Sequence, residues 1–203
     1  MSKWDQLADN ATIQKTIAAL GANGIDAEVV ENGQEAREKV LNMLPAGADV
    51  YTVTSQTLEA TGISKEINES NKFKSVRNIL YSMDRQTQGR EMQKLGAAPD
   101  WVVGSVHAVT QDGHVLIASN SGSQLPAYAY GSAQVIWVVG TQKIVENTDE
   151  GIKRVYEHSL PLEDKRAQVA YGIHSGVSKL LIIYKEMMPQ RTHLILVKQS
   201  LGF

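Results

Sequence analysis

Residues 133–140 read AQVIWVVG, an apolar run on which the interpretation of the whole fold depends. A strand with one face in water alternates apolar and polar side chains, whereas residues 134–139 are nearly continuously apolar. Such a strand is typical of a parallel sheet that helices cover on both sides. The run is far too short to cross a membrane, which takes about 20 apolar residues. We therefore predict a buried central strand.

The segments around this run predict alternating helices and strands. Helical periods cover residues 5–22, 33–44, 85–95 and 149–158, and strands are expected at 27–30, 49–54, 101–110 and 115–118. Residues 111–114, QDGH, carry the Asp-Gly signal of a tight hairpin. Residues 179–184 are expected to pair with 194–198 across a turn at Pro189, whereas 63–84 fits a polar helix with a strand near 79–81. The fold class is therefore α/β, a mainly parallel sheet flanked by helices with antiparallel hairpin insertions. Without repeats or linkers, residues 1–203 are expected to form one domain.

The amino-acid composition argues against several classes of binding partner and metal site. The 203 residues carry a net charge of -2, so nothing predicts the clustered basic face that nucleic acid binding needs. The chain contains no cysteine, which excludes disulfides, thiolate zinc sites and any iron–sulfur cluster ligated by cysteines of this chain. The five histidines show no ligand spacing; each is expected on the surface or in the core, and no metal site is predicted. The first ten residues are too polar for a signal peptide, so we expect a cytoplasmic protein that does not bind membranes.

Polar segments at the ends of predicted strands are the candidates for a ligand site. The common nucleophile, nucleotide-binding and zinc motifs are absent, so no catalytic residue is identified. In an open α/β sheet, ligands bind beyond the carboxyl ends of the strands. Ser55 and Thr57 follow one predicted strand, Ser105 lies in another, and residues 119–124, SNSGSQ, follow a third. N–H groups at helix starts attract anions, and these side chains add neutral donors. The alternative is that they only cap helices and form a polar turn.

Three cations are candidates for binding a carboxylate or phosphate: Lys143, Arg154 and Arg166. Arginine suits such anions because its guanidinium offers a bidentate fork. For Arg154 taken alone, a position on a solvated face of a helix is as good an interpretation as a role in anion binding.

Three ordered motifs carry a family resemblance. Residues 20–63 (LGANGIDAEVVENGQEAREKVLNMLPAGADVYTVTSQTLEATGI), 104–124 (GSVHAVTQDGHVLIASNSGSQ) and 135–155 (VIWVVGTQKIVENTDEGIKRV), with the closing LILVKQSLGF, resemble the lactate-utilization (LUD) domain family. The resemblance implies a fold shared with ribose phosphate isomerase, glucosamine phosphate deaminase and CoA transferases. It also implies a role in oxidising lactate to pyruvate with iron–sulfur partner proteins. Carried over by position, it implies a ligand pocket lined by Ser55, Thr57, Ser105, Asn120, Ser121, Gly122, Ser123, Gln124, Lys143 and Arg154.

The leading functional hypothesis is a LUD-type subunit or accessory protein in lactate utilization that binds a small carboxylate or phosphate. Its expected partners are iron–sulfur oxidoreductase subunits, and no cofactor of its own is identified. One alternative is an enzyme of the same fold, a sugar-phosphate isomerase or an acyl-CoA transferase. Another is a non-catalytic interaction module, so whether the chain is an enzyme stays open. A homodimer through Tyr128, Tyr130 and Trp137 is also considered, although aromatic residues of this kind more often belong to the core.

Overall fold

Ten strands form two sheets within residues 3–203, which the computed structural model describes. The strands are β1 (Asp26–Val30), β2 (Asp49–Thr52), β3 (Lys74–Ser75), β4 (Trp101–Gly104), β5 (Ala108–Thr110), β6 (Val115–Ser119), β7 (Gln134–Gly140), β8 (Ile144–Val145), β9 (Lys179–Ile183) and β10 (Thr192–Val197). The main sheet has the order β1-β10-β7-β4-β2-β3, and all its strands are parallel. The second sheet has the order β8-β5-β6-β9 and mixes parallel and antiparallel pairs. The predicted α/β class with a mainly parallel sheet is confirmed.

Helices connect the parallel strands. They are α1 (Asn10–Ala22), α2 (Gly33–Met43), α3 (Gln56–Ala60), α4 (Ile63–Glu69), α5 (Val76–Ser82), α6 (Arg85–Ala97), α7 (Thr148–Arg154) and α8 (Leu160–Tyr171). Short 3₁₀ turns cover Lys3–Asp5 and Thr141–Lys143, and single π-helical turns cover Ala127–Gly131 and Val155–Ser159. Side-chain caps begin many of these helices; Ser55, for example, accepts from the Leu58 N–H at the start of α3. Among residues 3–203, none of the helices has the length and apolar character needed to cross a membrane.

The apolar run at residues 133–140 contains the buried strand β7. Its residues Val135, Trp137 and Val139 pack on one face of the sheet with the apolar side of α1. Ile136 and Val138 pack on the other face with side chains of α2, α3 and α4. Because successive side chains of a strand point to opposite faces, continuous apolarity is what a strand between two covered faces requires.

The predicted pairing of residues 179–184 with 194–198 is wrong. β9 pairs antiparallel with β6 in the second sheet, whereas β10 lies between β1 and β7 in the main sheet. Apolar alternation identifies a strand but does not specify its neighbour, and the crossover after β9 carries the chain from one sheet to the other. The Asp-Gly hairpin between β5 and β6 is confirmed, with Gly113 at φ +83°. The strand expected near 79–81 lies instead within α5.

The aromatic residues considered for a dimer interface separate into core and surface. Tyr128 and Trp137 are fully buried and make an edge-to-face contact with ring centroids 5.5 Å apart. Only Tyr130 of the three is exposed. A homodimer stays a prediction, but the rings of Tyr128 and Trp137 belong to the core and are not part of the surface.

Candidate functional site

A pocket of about 340 Å³ lies at the carboxyl ends of β2, β4 and β7. It combines the segments that follow these strands: Ser55 and Thr57 after β2, Ser105 after β4, and Lys143 after β7. Parallel strands deliver their carboxyl ends to one edge of the sheet, which is why residues so distant in sequence meet here. Further wall residues come from the loop after β6, from the π-turn at Val155–Ser159, from α8 with the segment 173–177, and from Phe203.

Lys143 forms the floor of the pocket. Its side chain is buried, and its Nζ lies 3.2 Å from Thr57 Oγ1, 3.3 Å from Ser105 Oγ and 3.2 Å from the Val106 carbonyl oxygen. Thr57 Oγ1 itself donates to the Leu201 carbonyl at 3.0 Å, so it is an acceptor toward the lysine. The lysine is therefore held in place by three neutral oxygen atoms.

The electrostatic environment of Lys143 contains no compensating acid. Within residues 3–203, no carboxylate lies within salt-bridge distance of its Nζ. Burial, and then the nearby Arg154 charge, lower the pKa of Lys143 to about 7. A buried cation without an anion nearby favours either binding of an anion or loss of its proton.

Arg154 lies behind the pocket and does not line it. Its guanidinium is fully buried and donates to the His107 carbonyl oxygen and to Ser159 Oγ, while its Nε and Nη2 make no hydrogen bond within the described residues. The resemblance implies that Arg154 lines the pocket; the structure does not bring its side chain to the pocket wall, and a ligand-binding role for Arg154 stays a prediction. Its side chain is directed from α7 into the core below His107. Arg154 can affect a ligand through its charge and through the backbone that carries His107.

His107 is a pocket residue that the sequence did not single out. Its Nδ1 accepts a hydrogen bond from the Ala118 N–H at 3.1 Å, which places the ring proton on Nε2. Burial, followed by the charges of Lys143 and Arg154, lowers the pKa of His107 to about 3. The imidazole is therefore neutral at pH 7 and can offer an N–H donor to the pocket. Its position two residues beyond Ser105, past the end of β4, is the signal that could have identified it.

The loop after β6 satisfies its own polar groups. Ser119 Oγ accepts from the Gly122 N–H at 2.9 Å and donates to Gln124 Oε1 at 3.0 Å, while Ser121 Oγ donates to Ser123 Oγ at 3.2 Å. All of the predicted loop residues except Gly122 line the pocket: Asn120, Ser121, Ser123 and Gln124. Gly122 serves the turn instead, because its φ is +84° and a Cβ there would come 2.5 Å from the Lys179 side chain. The resemblance implies that Gly122 lines the pocket with the rest of this loop; Gly122 is not among the lining residues, and a ligand-binding role for the loop stays a prediction.

The wall opposite the loop is formed by α8 and the segment after it. Arg166 binds Glu163 through two hydrogen bonds of 2.7 Å, so both charges of this pair are satisfied within the wall. Asp164 accepts from the Ser175 N–H at 2.7 Å and lies 3.1 Å from His174, which attaches segment 173–177 to the helix. Ser178 Oγ donates to Asn120 Oδ1 at 3.0 Å and joins this segment to the opposite loop. No group of three or more His, Asp or Glu side chains within residues 3–203 is arranged to hold a metal ion.

Fold and site together define an α/β protein with a small polar pocket at the carboxyl edge of a parallel sheet. Sequence comparison with protein families finds the LUD domain over residues 13–197, and the chain therefore belongs to the LUD-domain family. A crystal structure of a DUF162 family protein from Deinococcus radiodurans is similar to it, with a TM-score of 0.57 and 13% sequence identity over 95% of this chain and 99% of that one. At this identity the likeness concerns the fold alone. Comparison with curated proteins found no match.

Proposed function

We propose that this LUD-domain protein binds a small carboxylate or phosphate anion in the Lys143 pocket, and that it serves the utilization of a carboxylate such as lactate as a subunit or accessory protein. The family is related to lactate utilization, which supports the choice of lactate as the first ligand to test. A cytoplasmic location and iron–sulfur oxidoreductase partners belong to the same proposal.

The observation that carries this proposal is the buried side-chain amino group of Lys143, which has no acidic neighbour within residues 3–203. Transferring an isolated cation from water into a protein interior is costly, and a bound anion offsets that cost. Neutral donors surround the same space: the hydroxyl of Ser55, the amide of Gln56 and the imidazole of His107. Such donors orient a carboxylate or phosphate without adding competing charge.

Thermal unfolding with added anions tests the proposal. We expect lactate, pyruvate or inorganic phosphate to raise the melting temperature, because a ligand present at 100 times its Kd stabilises the folded state by about 2.7 kcal/mol. Lys143→Met is expected to abolish the shift, and Lys65→Met, which changes an exposed lysine of α4 away from the pocket, is expected to retain it. No shift with any of these anions at saturating concentration would contradict the proposal.

The alternatives respond differently in the same assay. A sugar-phosphate isomerase would be stabilised by a sugar phosphate far more than by inorganic phosphate, and an acyl-CoA transferase by a CoA thioester. A transferase also needs a free carboxylate nucleophile. The carboxylate that lines the pocket, Glu163, has both oxygens bound by Arg166. For a non-catalytic interaction module, Ser121→Ala with Gln124→Ala would leave every ligand response unchanged.

A further inference from the structure

We propose that Lys143 forms a covalent imine with the carbonyl carbon of a small α-keto acid bound in this pocket. The proposal rests on the proposed function, because it requires the carboxylate of the keto acid to bind at the same site. It goes beyond that function by assigning Lys143 the role of a nucleophile and by naming the class of substrate.

The first argument is the protonation state that the contacts of Lys143 allow. A neutral amine can donate to Thr57 Oγ1 and to the Val106 carbonyl and can accept the hydroxyl proton of Ser105, so every contact stays satisfied without a charge. Burial and the Arg154 charge bring the pKa of Lys143 to about 7. About half of the side chains are then unprotonated at neutral pH, compared with far less than a hundredth for a lysine in water. Desolvated lysines beside a second cation are the type that attacks carbonyl compounds.

The second argument is the position of the amine in the pocket. Lys143 is among the pocket-lining residues, and a cavity of about 340 Å³ has room for a ligand with a few heavy atoms beside it. Glu163 is paired with Arg166, so it does not form the ammonium–carboxylate pair that would keep Lys143 protonated. An α-keto acid offers the two features that the site fits, a carboxylate for the neutral donors and an electrophilic carbon for the amine.

The proposed reaction balances with the Lys143 amine and the keto acid as its only reactants and water as the leaving product. The Nζ lone pair attacks the carbonyl carbon, the carbonyl π bond breaks, and a carbinolamine forms. The carbinolamine then loses its hydroxyl group together with a proton from nitrogen as one water molecule, leaving the C=N bond. Ser105 Oγ, 3.3 Å from Nζ, is placed to carry the proton from the nitrogen toward the departing hydroxyl group, and His107 offers a second N–H donor in the same pocket.

Reductive trapping with pyruvate tests this inference. Wild-type protein incubated with pyruvate and cyanoborohydride at pH 7 is expected to gain the mass of pyruvate less one oxygen atom. Peptide mapping is expected to locate this adduct on Lys143. Labelling there should be on the order of a thousandfold faster than at an exposed lysine, since the neutral fraction of the amine is larger by that factor. Lys143→Arg is expected to abolish the adduct, and Lys65→Arg, at an exposed lysine of α4, to retain it.

The outcomes separate the imine from the anion site. Labelling of wild type that is spread over exposed lysines, or an adduct that persists in Lys143→Arg, would overturn the inference; the mapping on wild type needs no variant to fold. Thermal stabilisation by lactate, which has no carbonyl carbon of this kind, without any pyruvate adduct on Lys143 would overturn the imine and leave the anion site intact. Absence of both signals would overturn the two proposals together.

Discussion

The residue that organises the pocket is Lys143, and its environment is unusual for a lysine. Lysines are almost never fully buried unless they are paired. Here three neutral oxygen atoms hold the side chain, and a second cation, Arg154, lies close enough to lower its pKa. Perturbed pKa values of this kind, caused by burial and a specific charge, are concentrated at functional sites. The surroundings of Lys143 therefore support the ligand site proposed there.

Gly104, at the end of β4, gives a prediction at the scale of one residue. A Cβ at this position would come 1.7 Å from Tyr128 Oη and 2.6 Å from Val53 Cγ2, and both neighbours are buried. Gly104→Ala is therefore expected to destabilise the protein by about 1–3 kcal/mol, the usual cost of overpacking a core. Chemical denaturation measures the free energy of unfolding.

Two further variants control that measurement. Combining Gly104→Ala with Tyr128→Phe is expected to recover part of the loss, because the phenol oxygen that would clash is removed. Gly21→Ala places a methyl group on α1 where nothing lies within 4 Å, and it is expected to gain up to about 1 kcal/mol from helix propensity. Equal effects of Gly104→Ala and Gly21→Ala would contradict the packing argument.

At the scale of elements, the helix that follows β8 shapes the rear of the pocket. α7 and α8 are joined by one π-helical turn, Val155–Ser159, so that the helix runs on with one wider turn. Ser159 in this turn lines the pocket and accepts from Arg154. Single π-turns within helices are frequent at functional sites, and here the turn places a hydroxyl group between the buried arginine and the pocket.

The connection between β9 and β10 gives a prediction for an element. Arg191 is buried there; it contacts Glu186 at 2.6 Å and donates to the carbonyl oxygens of Ser132, Ala127 and Tyr128. The arginine thus holds the crossover against the π-turn at Ala127–Gly131. Glu186→Gln is expected to destabilise the protein by about 3 kcal/mol, because a buried guanidinium loses its partner charge. Urea unfolding at pH 7 measures the change.

An exposed ion pair is the matched control for that variant. Lys72 and Glu66 lie 2.9 Å apart on the surface, where solvent screens both charges. Glu66→Gln is therefore expected to leave the urea midpoint almost unchanged. If the two Glu→Gln variants shifted the midpoint equally, Arg191 would not anchor the crossover as described.

At the scale of the whole molecule, the fold loses stability by burying Lys143, and that loss depends on pH. The pKa of Lys143 is about 7 in the folded protein and about 10.4 in an unfolded chain. Between these values the unfolded chain binds more protons at this residue, so stability rises with pH from 7 toward 10. We expect the wild type to gain up to about 1.4 kcal/mol per pH unit relative to Lys143→Met across this window.

Denaturation curves of both proteins at several pH values between 7 and 10 measure that difference. Taking the difference removes the contributions of other titrating groups that the two proteins share. Lys65→Met is the control and is expected to differ from wild type by a constant amount, because its lysine is exposed in the folded protein as well. A constant difference for Lys143→Met too would mean that its pKa is not lowered by folding.

Much of the fold could be predicted from local pattern. The apolar run of β7, the helical periods of α1, α2 and α6 and the Asp-Gly turn are set by side chains a few residues apart. Strand pairing was harder to predict from local pattern. The segments of β9 and β10 were expected to form a hairpin but belong to different sheets. The strand expected over 101–110 is two strands, one in each sheet, because residues 105–107 cross between them.

Part of the candidate site could be predicted from sequence, because several of its residues follow the ends of predicted strands. Segments that follow the parallel strands β2, β4 and β7 meet at one edge by topology, which brings Ser55, Ser105 and Lys143 together. The loop after β6 follows a strand of the second sheet, and its place in the same pocket depends on tertiary packing. The inward direction of Arg154 and the neutral imidazole of His107 could not be predicted from sequence, because they depend on what packs around each side chain.

The sequence by itself thus determined the α/β class, the family and the polar segments that line the pocket, since these follow from periodicity and ordered motifs. Only the tertiary structure decided that Lys143 is buried with no acid of the described part of the chain beside it. Burial and the distance between charges are properties of three-dimensional packing, and they set whether a lysine is a solvated cation or a reactive amine.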